Sequence, residues 1–269
     1  TFTIPCNNPF LSASQATTLC GAAAGTAQTE DTFIGLRLTT PRRDDLRHED
    51  FRYTAGVRGS FAKGFSYDVN YLRSLVRYNE TYMNNVDNVK AQRALNVVNV
   101  NGTPTCQSVI DGTDKTCLPI DVFAAGAISA TALPYLFSNS STQSRNTQTV
   151  VSGTINGDLG QYGIQIPWAD RGIGIALGAE HRRETLSASG DAIAIQNGYV
   201  GSDGTITVNE GYGELEIPIL SNLPFAKALT INGGARYSTY HNQQDSTGFK
   251  SDFHALTYKG ELSWAPSSD

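Results

Sequence analysis

The sequence predicts an all-β fold: an antiparallel transmembrane β-barrel segment of about eight long strands. Three observations carry that expectation. Apolar and polar residues alternate with period two over long stretches. The stretches run well past the about five or six residues usual for strands of soluble domains. The connections alternate between tight turns and long polar segments, the pattern of an outer-membrane barrel with short periplasmic turns and long extracellular loops.

In chain order, the candidate strands are 32–40, 47–61, 65–82, 143–158, 171–187, 205–219, 228–243 and 253–264. Phe51, Tyr53, Ala55, Val57 and Phe61 alternate with Arg52, Thr54, Arg58 and Ser60. Ile173, Ile175, Leu177 and Ala179 alternate with Gly174, Ala176, Gly178, Glu180 and Arg182. Leu229, Ile231, Gly233, Ala235 and Tyr237 alternate with Thr230, Asn232, Gly234, Arg236 and Ser238. Leu256, Tyr258, Leu262 and Trp264 alternate with Thr257, Lys259, Glu261 and Ser263. Ala62-Lys63-Gly64 and Ser221–Lys227 are short connections, and Leu159–Asp170 is of medium length. The segments 41–46, 83–142, 188–204 and 244–252 are polar and mostly longer. Phe61, Phe65, Tyr67, Trp168, Phe225 and Trp264 cluster near the short turns, as an interfacial aromatic girdle would. Core aromatics at strand ends would look the same.

The composition fits many turns and strands: 26 Gly and one Met in 269 residues. Mean hydropathy is -0.27, and no apolar run is long enough for a transmembrane helix. A soluble β-sandwich shares this composition, so strand length is the discriminating signal. The net charge of -5 and the scattered basic residues exclude a nucleic-acid interface. The chain opens at Thr1 with no Met or charged leader and closes just after a strand-like run, so a fragment of a longer precursor is expected. An open sheet in lipid leaves two unpaired edges, which calls for further strands as neighbours.

Four cysteines fall as two local pairs, Cys6 with Cys20 and Cys106 with Cys117. Neither pair has the spacing of a zinc site and no histidine lies between the members, so no metal is expected. Local disulfides are the expectation, although four cysteines allow three pairings. Closing a loop of about 15 residues contributes on the order of 3 kcal/mol and places the chain in an oxidising compartment.

The organisation read from this is one partial barrel domain over 1–269. It comprises a disulfide-bearing loop (1–31), strands (32–82), a long extracellular loop (83–142), and strands with loops (143–264). The loop of about 60 residues is long enough to suggest a function. It contains an apolar stretch at Leu95–Val100 and a candidate short helix near Ala124–Leu136.

The polar parity carries Arg58, Glu180, Arg182, Glu210, Glu214, Glu216, Arg236, Lys259 and Glu261. A charge at the lipid midplane costs about 2 to 4 kcal/mol, so these residues face the lumen. They either meet a ligand or plug, or form interstrand ion pairs that hold the wall; ion pairing is the plainer explanation. His48, His181, His241 and His254 provide no nucleophile constellation, and catalysis is not expected. His241 and His254 lie across one hairpin and approach a loop, where a metal-bearing ligand is an alternative. Asp87, Asp111, Asp114 and Asp121 lack an EF-hand pattern and read as solvated loop charges. No cofactor is expected.

PWADRGIGIALGAEHRRE, from Pro167 to Glu184, resembles the barrel of TonB-dependent outer-membrane receptors, with Gly172, Gly178, Glu180, Arg182 and Glu184 at the matching positions. EGYGELEIP, from Glu210 to Pro218, looks like the next strand, and TYKGELSWAP, from Thr257 to Pro266, resembles a later one. Phe51–Phe61 and Phe65–Tyr71 are similar to the hairpin before the large loop, and Asn8-Pro9-Phe10 followed by Cys20 also fits. The resemblance covers nearly the whole chain in order. It implies a larger barrel of the 22-stranded type, a bacterial outer-membrane location, and a plug domain and TonB as partners. It also implies import of a scarce ligand such as a siderophore, carbohydrate or other nutrient. The plug domain and the remaining strands are not in this sequence. Loop residues Tyr82, Asn85, Tyr135 and Tyr199 are the candidates for ligand contact. A passive porin or a structural surface β-protein is the rival class.

Overall fold

The computed structural model describes residues 1–35, 40–126 and 128–267. Its strands are β1 (Phe2–Pro5), β2 (Thr29–Thr32), β3 (Arg43–Ala62), β4 (Phe65–Val86), β5 (Val97–Val100), β6 (Thr103–Cys106), β7 (Phe137–Asp158), β8 (Gly174–Gly190), β9 (Ser202–Leu223), β10 (Ala226–Gln244) and β11 (Phe249–Ala265). Seven long strands form one sheet in the order β11-β10-β9-β8-β7-β4-β3. Among the described residues β3 and β11 are its edges, so it is an open, mostly antiparallel segment of a barrel.

The period-two pattern decides which residues share a face. Across β8, β9, β10 and β11, Ile175, Leu215, Gly233 and Gly260 stand in one row, and Leu177, Gly213, Ala235 and Tyr258 in the next. The opposite face carries Ala176, Glu214, Gly234 and Lys259, then Gly178, Tyr212, Arg236 and Thr257. Among the described residues none covers the apolar side chains of β11: Tyr258 is 86% exposed and Leu262 66%. From Trp264 to Leu256, β11 advances about 27 Å at about 3.4 Å per residue. At a tilt of about 40° that spans about 21 Å of thickness, close to the about 25 Å apolar band of an outer-membrane barrel.

The ladder between β9 and β10 slips once, where Leu229 pairs Leu220 but Thr230 pairs Pro218. Ile219 is the extra residue. Pro218 has no N–H to give the ladder, so the bulge falls where pairing is weakest. The turn that follows is tighter than the expected Ser221–Lys227, because only Pro224 and Phe225 separate β9 from β10. Trp264 Nε1 donates to the Phe225 carbonyl at 2.9 Å, tying the edge strand to that turn. Between β7 and β8, Gly160 and Gly172 meet backbone to backbone, with no room for a Cβ on either.

Seven of the expected strands are present, and six of them run longer than expected: 143–158 becomes Phe137–Asp158, and 205–219 becomes Ser202–Leu223, while 171–187 keeps its length and shifts to Gly174–Gly190. Near the long connections both faces are polar. The hydrophobic alternation disappears there although the hydrogen-bond ladder continues. The expectation for 32–40 is corrected. Thr32 ends the short β2, which pairs with β1, and 33–35 are not in a strand. Residues 36–39 lie outside the described residues.

Two compact units are present. The sheet body comprises 48–78, 144–188 and 201–269. The other unit comprises 1–47, 79–143 and 189–200. It has its own core of Ile4, Ala91, Ala94, Leu95, Cys106, Cys117, Ile120, Ala132 and Leu136. Helix α1 (Ala13–Cys20) starts with a capping box between Ser12 and Gln15, and α2 (Asn88–Leu95) is capped by Asp87. Gln92 on α2 accepts from the Thr3 N–H and donates to the Thr3 carbonyl, which pins the N-terminal segment to the helix. Buried Asn8 donates to the Leu95 carbonyl at 2.9 Å. The disulfides are the local ones, Cys6–Cys20 and Cys106–Cys117. Segments read from sequence as loops, 1–31 and 83–142, therefore share one packed body. The helix expected near Ala124–Leu136 shortens to Leu133–Leu136, and Ala127 lies outside the described residues.

The facial assignment makes a paired prediction for the intact protein folded in phospholipid. Leu177→Arg, in the middle of the apolar face, is expected to destabilise it by about 2 to 4 kcal/mol. Asn232→Arg is expected to be neutral or stabilising, because Asn232 stands between Glu216 and Glu261 on the polar face. Denaturant titration of both variants checks this, and equal losses would reverse the assignment of faces.

Candidate functional site

The polar face of the sheet is the first candidate surface. Each of its charges is placed by the ladder register. Arg236 Nη1 reaches Glu210 Oε2 at 3.4 Å, and the Ser238 hydroxyl donates to Glu210 Oε1 at 2.8 Å. The Arg236 guanidinium also lies 4.9 Å from the centroid of the Tyr212 ring. That ring occupies the space a side chain at Gly178 would need, so glycine is required there. Lys259 Nζ donates to Glu214 Oε2 at 2.9 Å across Gly234, which pairs with both residues. Arg171 pairs with Glu216. Arg182 Nε stands 3.5 Å from Glu184 Oε1, too poorly aligned for a hydrogen bond. Gln148 donates to the same carboxylate at 2.8 Å.

Six of the nine polar-face charges named from sequence thus sit in ion pairs, and two of those pairs, Arg236–Glu210 and Lys259–Glu214, cross between strands. Exposed pairs of this kind contribute about 0.2–1 kcal/mol each. Three have no such partner among the described residues. Glu180 faces Glu210, whose charge Arg236 already balances. Glu261 is separated from Glu216 by Asn232. Arg58 lies opposite Asp68, because Gly56 abuts Asn70 and Gly59 abuts Tyr67 in the same hairpin. Between the paired charges, a recess of about 420 Å³ opens over β4, β7, β8 and β9, with Ser74, Asn146, Gln148, Glu184 and Ile206 in its lining.

The loop-bearing unit is the second candidate surface. Asp114 is its polar hub. It accepts from the Thr116 hydroxyl at 2.6 Å, the Tyr135 hydroxyl at 2.8 Å, the Thr116 N–H at 3.0 Å and Arg93 Nη1 at 3.2 Å. Those donors, the Thr116 hydroxyl first, hold its carboxyl well below the usual carboxylate range. Burial, and then the bond to Asp114, push the Tyr135 hydroxyl above the ordinary tyrosine value, so it remains a proton donor. Asp111 and Asp121 bond locally, Asp111 to the Thr113 N–H and hydroxyl and Asp121 to the Phe123 N–H. Asp87 accepts from the first turn of α2 and from Ser138. Among the described residues no three His, Cys, Asp or Glu converge as a metal site would require.

The four residues named for ligand contact all belong to this unit. Tyr82 and Asn85 lie on β4, and Asn85 donates to the Ser140 hydroxyl at 3.1 Å. Tyr135 is committed to Asp114, with Lys90 Nζ 5.8 Å from its ring centroid. Tyr199 packs against Gly190 and Ala194 at the end of β8. His241 and His254 do share a face, but it is the one that carries the apolar band. His241 Nδ1 there meets Asp252 at 2.8 Å, and His254 lies beside Tyr237.

Sequence reasoning missed Tyr212, Ser238 and Gln148, which complete the polar network, and Arg93, which shares Asp114 with Tyr135. The partners of Tyr212 and Ser238 depend on cross-strand register. The β5–β6 hairpin was legible in Asn101-Gly102, whose positive φ angles of 52° and 86° suit the tight turn that Asn-Gly favours.

A family model described as TonB dependent receptor-like, beta-barrel matches residues 7–269. None of the curated proteins and none of the solved structures compared with the chain matches it.

The Asp114 cluster predicts a pH dependence. A carboxyl whose folded pKa is depressed contributes stability that is present in full above its unfolded pKa of about 3.9 and lost as pH falls through the lower folded value. Hydrogen-exchange protection across 87–136 is expected to hold from neutrality to about pH 4–5 and to decline in stronger acid. In Asp114→Asn that decline should be shallower, and protection at neutral pH lower. An unchanged profile in the variant would remove Asp114 as the hub.

Proposed function

The chain belongs to the TonB-dependent receptor-like β-barrel family, and from that premise we propose that it is part of an active-transport receptor of the bacterial outer membrane. The receptor binds a scarce ligand, such as a siderophore, carbohydrate or other nutrient, and imports it with energy supplied through TonB. The family consists of bacterial outer-membrane transporters rather than enzymes, and its members work with a plug domain and TonB. One observation carries the reading for this chain: a sheet with one apolar face bare of protein and one face of ordered charge, within residues matched almost throughout to the family. A wall of that kind separates lipid from a polar lumen.

In this proposal the segments 83–142 and 188–204 are extracellular and capture ligand, with Tyr82, Asn85, Tyr135 and Tyr199 as the contact set. The polar-face charges divide by their bonding. Arg236, Glu210, Lys259, Glu214 and Arg182 hold the wall. Arg58, Glu180 and Glu261, which lack ion-pair partners among the described residues, meet the plug or the passing ligand. The folded loop unit supports capture, since an ordered surface loses less entropy on binding than a free loop would.

Uptake by cells expressing the full-length receptor tests the proposal. Accumulation of the ligand is expected to stop when TonB is removed or the proton gradient is collapsed. Uptake that continues unchanged would mean a passive porin. Tyr82→Ala is expected to weaken capture by about tenfold, measured as ligand bound to whole cells at low temperature, without changing the amount of receptor in the membrane.

A further inference from the structure

On the apolar-parity side of the sheet, just past the end of the apolar band, stands a cluster of arginines, with Glu49 and Asp252 only at its margins. Arg73 Nη1 donates to Thr149 Oγ1 at 3.3 Å, which sets odd-numbered residues of β4 and β7 on the same face. The Thr147 and Thr185 hydroxyls meet at 2.5 Å, which adds the odd-numbered residues of β8. Two residues further along each strand of that antiparallel pair, Thr149 stands opposite Arg183. Arg183 pairs with Thr207, Thr207 with His241, and His241 with Asp252. One row toward the short turns lie His181, Asn209, Thr239 and His254, and beyond them the apolar rows of Ala179 and Leu177 begin.

The signs of charge are segregated across these strands. The odd-numbered residues of β4, β7 and β8 include Arg73, Arg77, Arg145, His181 and Arg183, and no Asp or Glu. The even-numbered, polar face of the same strands holds five carboxylates, Asp68, Glu80, Asp158, Glu180 and Glu184, against the one arginine Arg182. Arg77 has Glu49 at 3.8 Å. Arg183 is exposed, and no carboxylate meets it among the described residues. Arg73 and Arg183 flank Thr149 from neighbouring strands, about 10 Å apart at the backbone. Two guanidinium forks can close on one tetrahedral anion across that gap, with the threonine hydroxyl between them.

The geometry points to a docking surface for phosphate-bearing lipid headgroups, centred on Arg73, Thr149 and Arg183, with Lys250 and His241 at its rim. The occupant follows from position and charge. Below the row of His181, Asn209, Thr239 and His254 the face is apolar and suits acyl chains; at the cluster it is cationic and suits the phosphates those chains carry. This inference rests on the proposed membrane wall but is independent of which ligand is imported. The leaflet concerned is the one on the side of the long connections.

The experiment uses the full-length receptor in nonionic detergent, with bound lipid counted by native mass spectrometry. The probes are diphosphorylated lipid A, the same glycolipid stripped of phosphate, and inorganic phosphate. Wild type is expected to retain the phosphorylated glycolipid and release the stripped form. Affinity is expected to fall by about fivefold for each arginine removed, so R73Q with R183Q loses the lipid. R73K with R183K, which keeps the charge, should retain most of it, and R58Q, on the opposite face, should retain all of it. Equal retention of the stripped glycolipid, or an unchanged R73Q/R183Q receptor, would overturn the proposal. So would full competition by inorganic phosphate, which would identify a free-anion site, or occupancy of the patch by a second receptor copy in place of lipid. If the glutamine variant fails to insert, the comparison of phosphorylated and stripped glycolipid on wild type still decides. Lost lipid with intact ligand capture separates this surface from the transport reading.

Discussion

The structure depends on one constraint: inside hydrocarbon, every backbone N–H and C=O must find a partner within the protein. A sheet meets it only as an unbroken ladder, and the strands here run long for that reason. β9 and β10 stay paired from Ala226–Leu223 at one end to Gln243–Thr205 at the other, with a single slip. The slip falls at Pro218, the residue that cannot donate. A continuous ladder also fixes parity, and parity assigns every side chain to one of two solvents. The same constraint that orders the backbone therefore sorts the chemistry.

The two faces use that sorting differently. On the apolar face contacts with lipid replace packing, so Tyr258 and Leu262 remain exposed without cost. On the polar face charges must be balanced within reach of the ladder, and register brings partners together from different strands. Lys259 and Glu214 come from β11 and β9, and meet across β10 because Gly234 leaves their path open. Tyr212 fills the gap left by Gly178 and supports Arg236, which in turn neutralises Glu210. Each pair contributes little alone. Together they leave Arg58, Glu180 and Glu261 without an ion-pair partner among the described residues, and in the proposed receptor those are the groups that meet a plug or a solute.

How much of this was legible in the sequence depends on which forces leave a local trace. Alternation in Ile173–Arg182 and Leu229–Ser238 fixed both strands and faces, because a two-solvent wall writes its burial pattern residue by residue. The strand ends at 138–142 and 202–204 left no such trace: both parities carry polar or small residues there, while the strand persists. The partners of Glu210 and Asp114 were equally hidden. Glu210 meets Ser238 from another strand, and Asp114 meets Tyr135 from across the loop, so both depend on register or tertiary contact. The local disulfides were legible as spacing, but the core they support was not, because its members come from Ile4, Leu95, Ile120 and Leu136, far apart in the chain.

That scattered core explains why the cysteines lie in the loop-bearing unit and not in the sheet. The sheet body has lipid to bury its apolar face and a ladder to order its backbone. The other unit has neither over most of its length, and its core cluster has nine buried members among the described residues, three of them the alanines Ala91, Ala94 and Ala132. A core of that size contributes too little against chain entropy to hold a unit alone, and small domains commonly add covalent links. Cys106 and Cys117 lie within the core itself, and Cys6–Cys20 fastens α1 to the N-terminal segment that Gln92 pins to α2. Oxidation supplements a limited core and lets these long connections hold one shape.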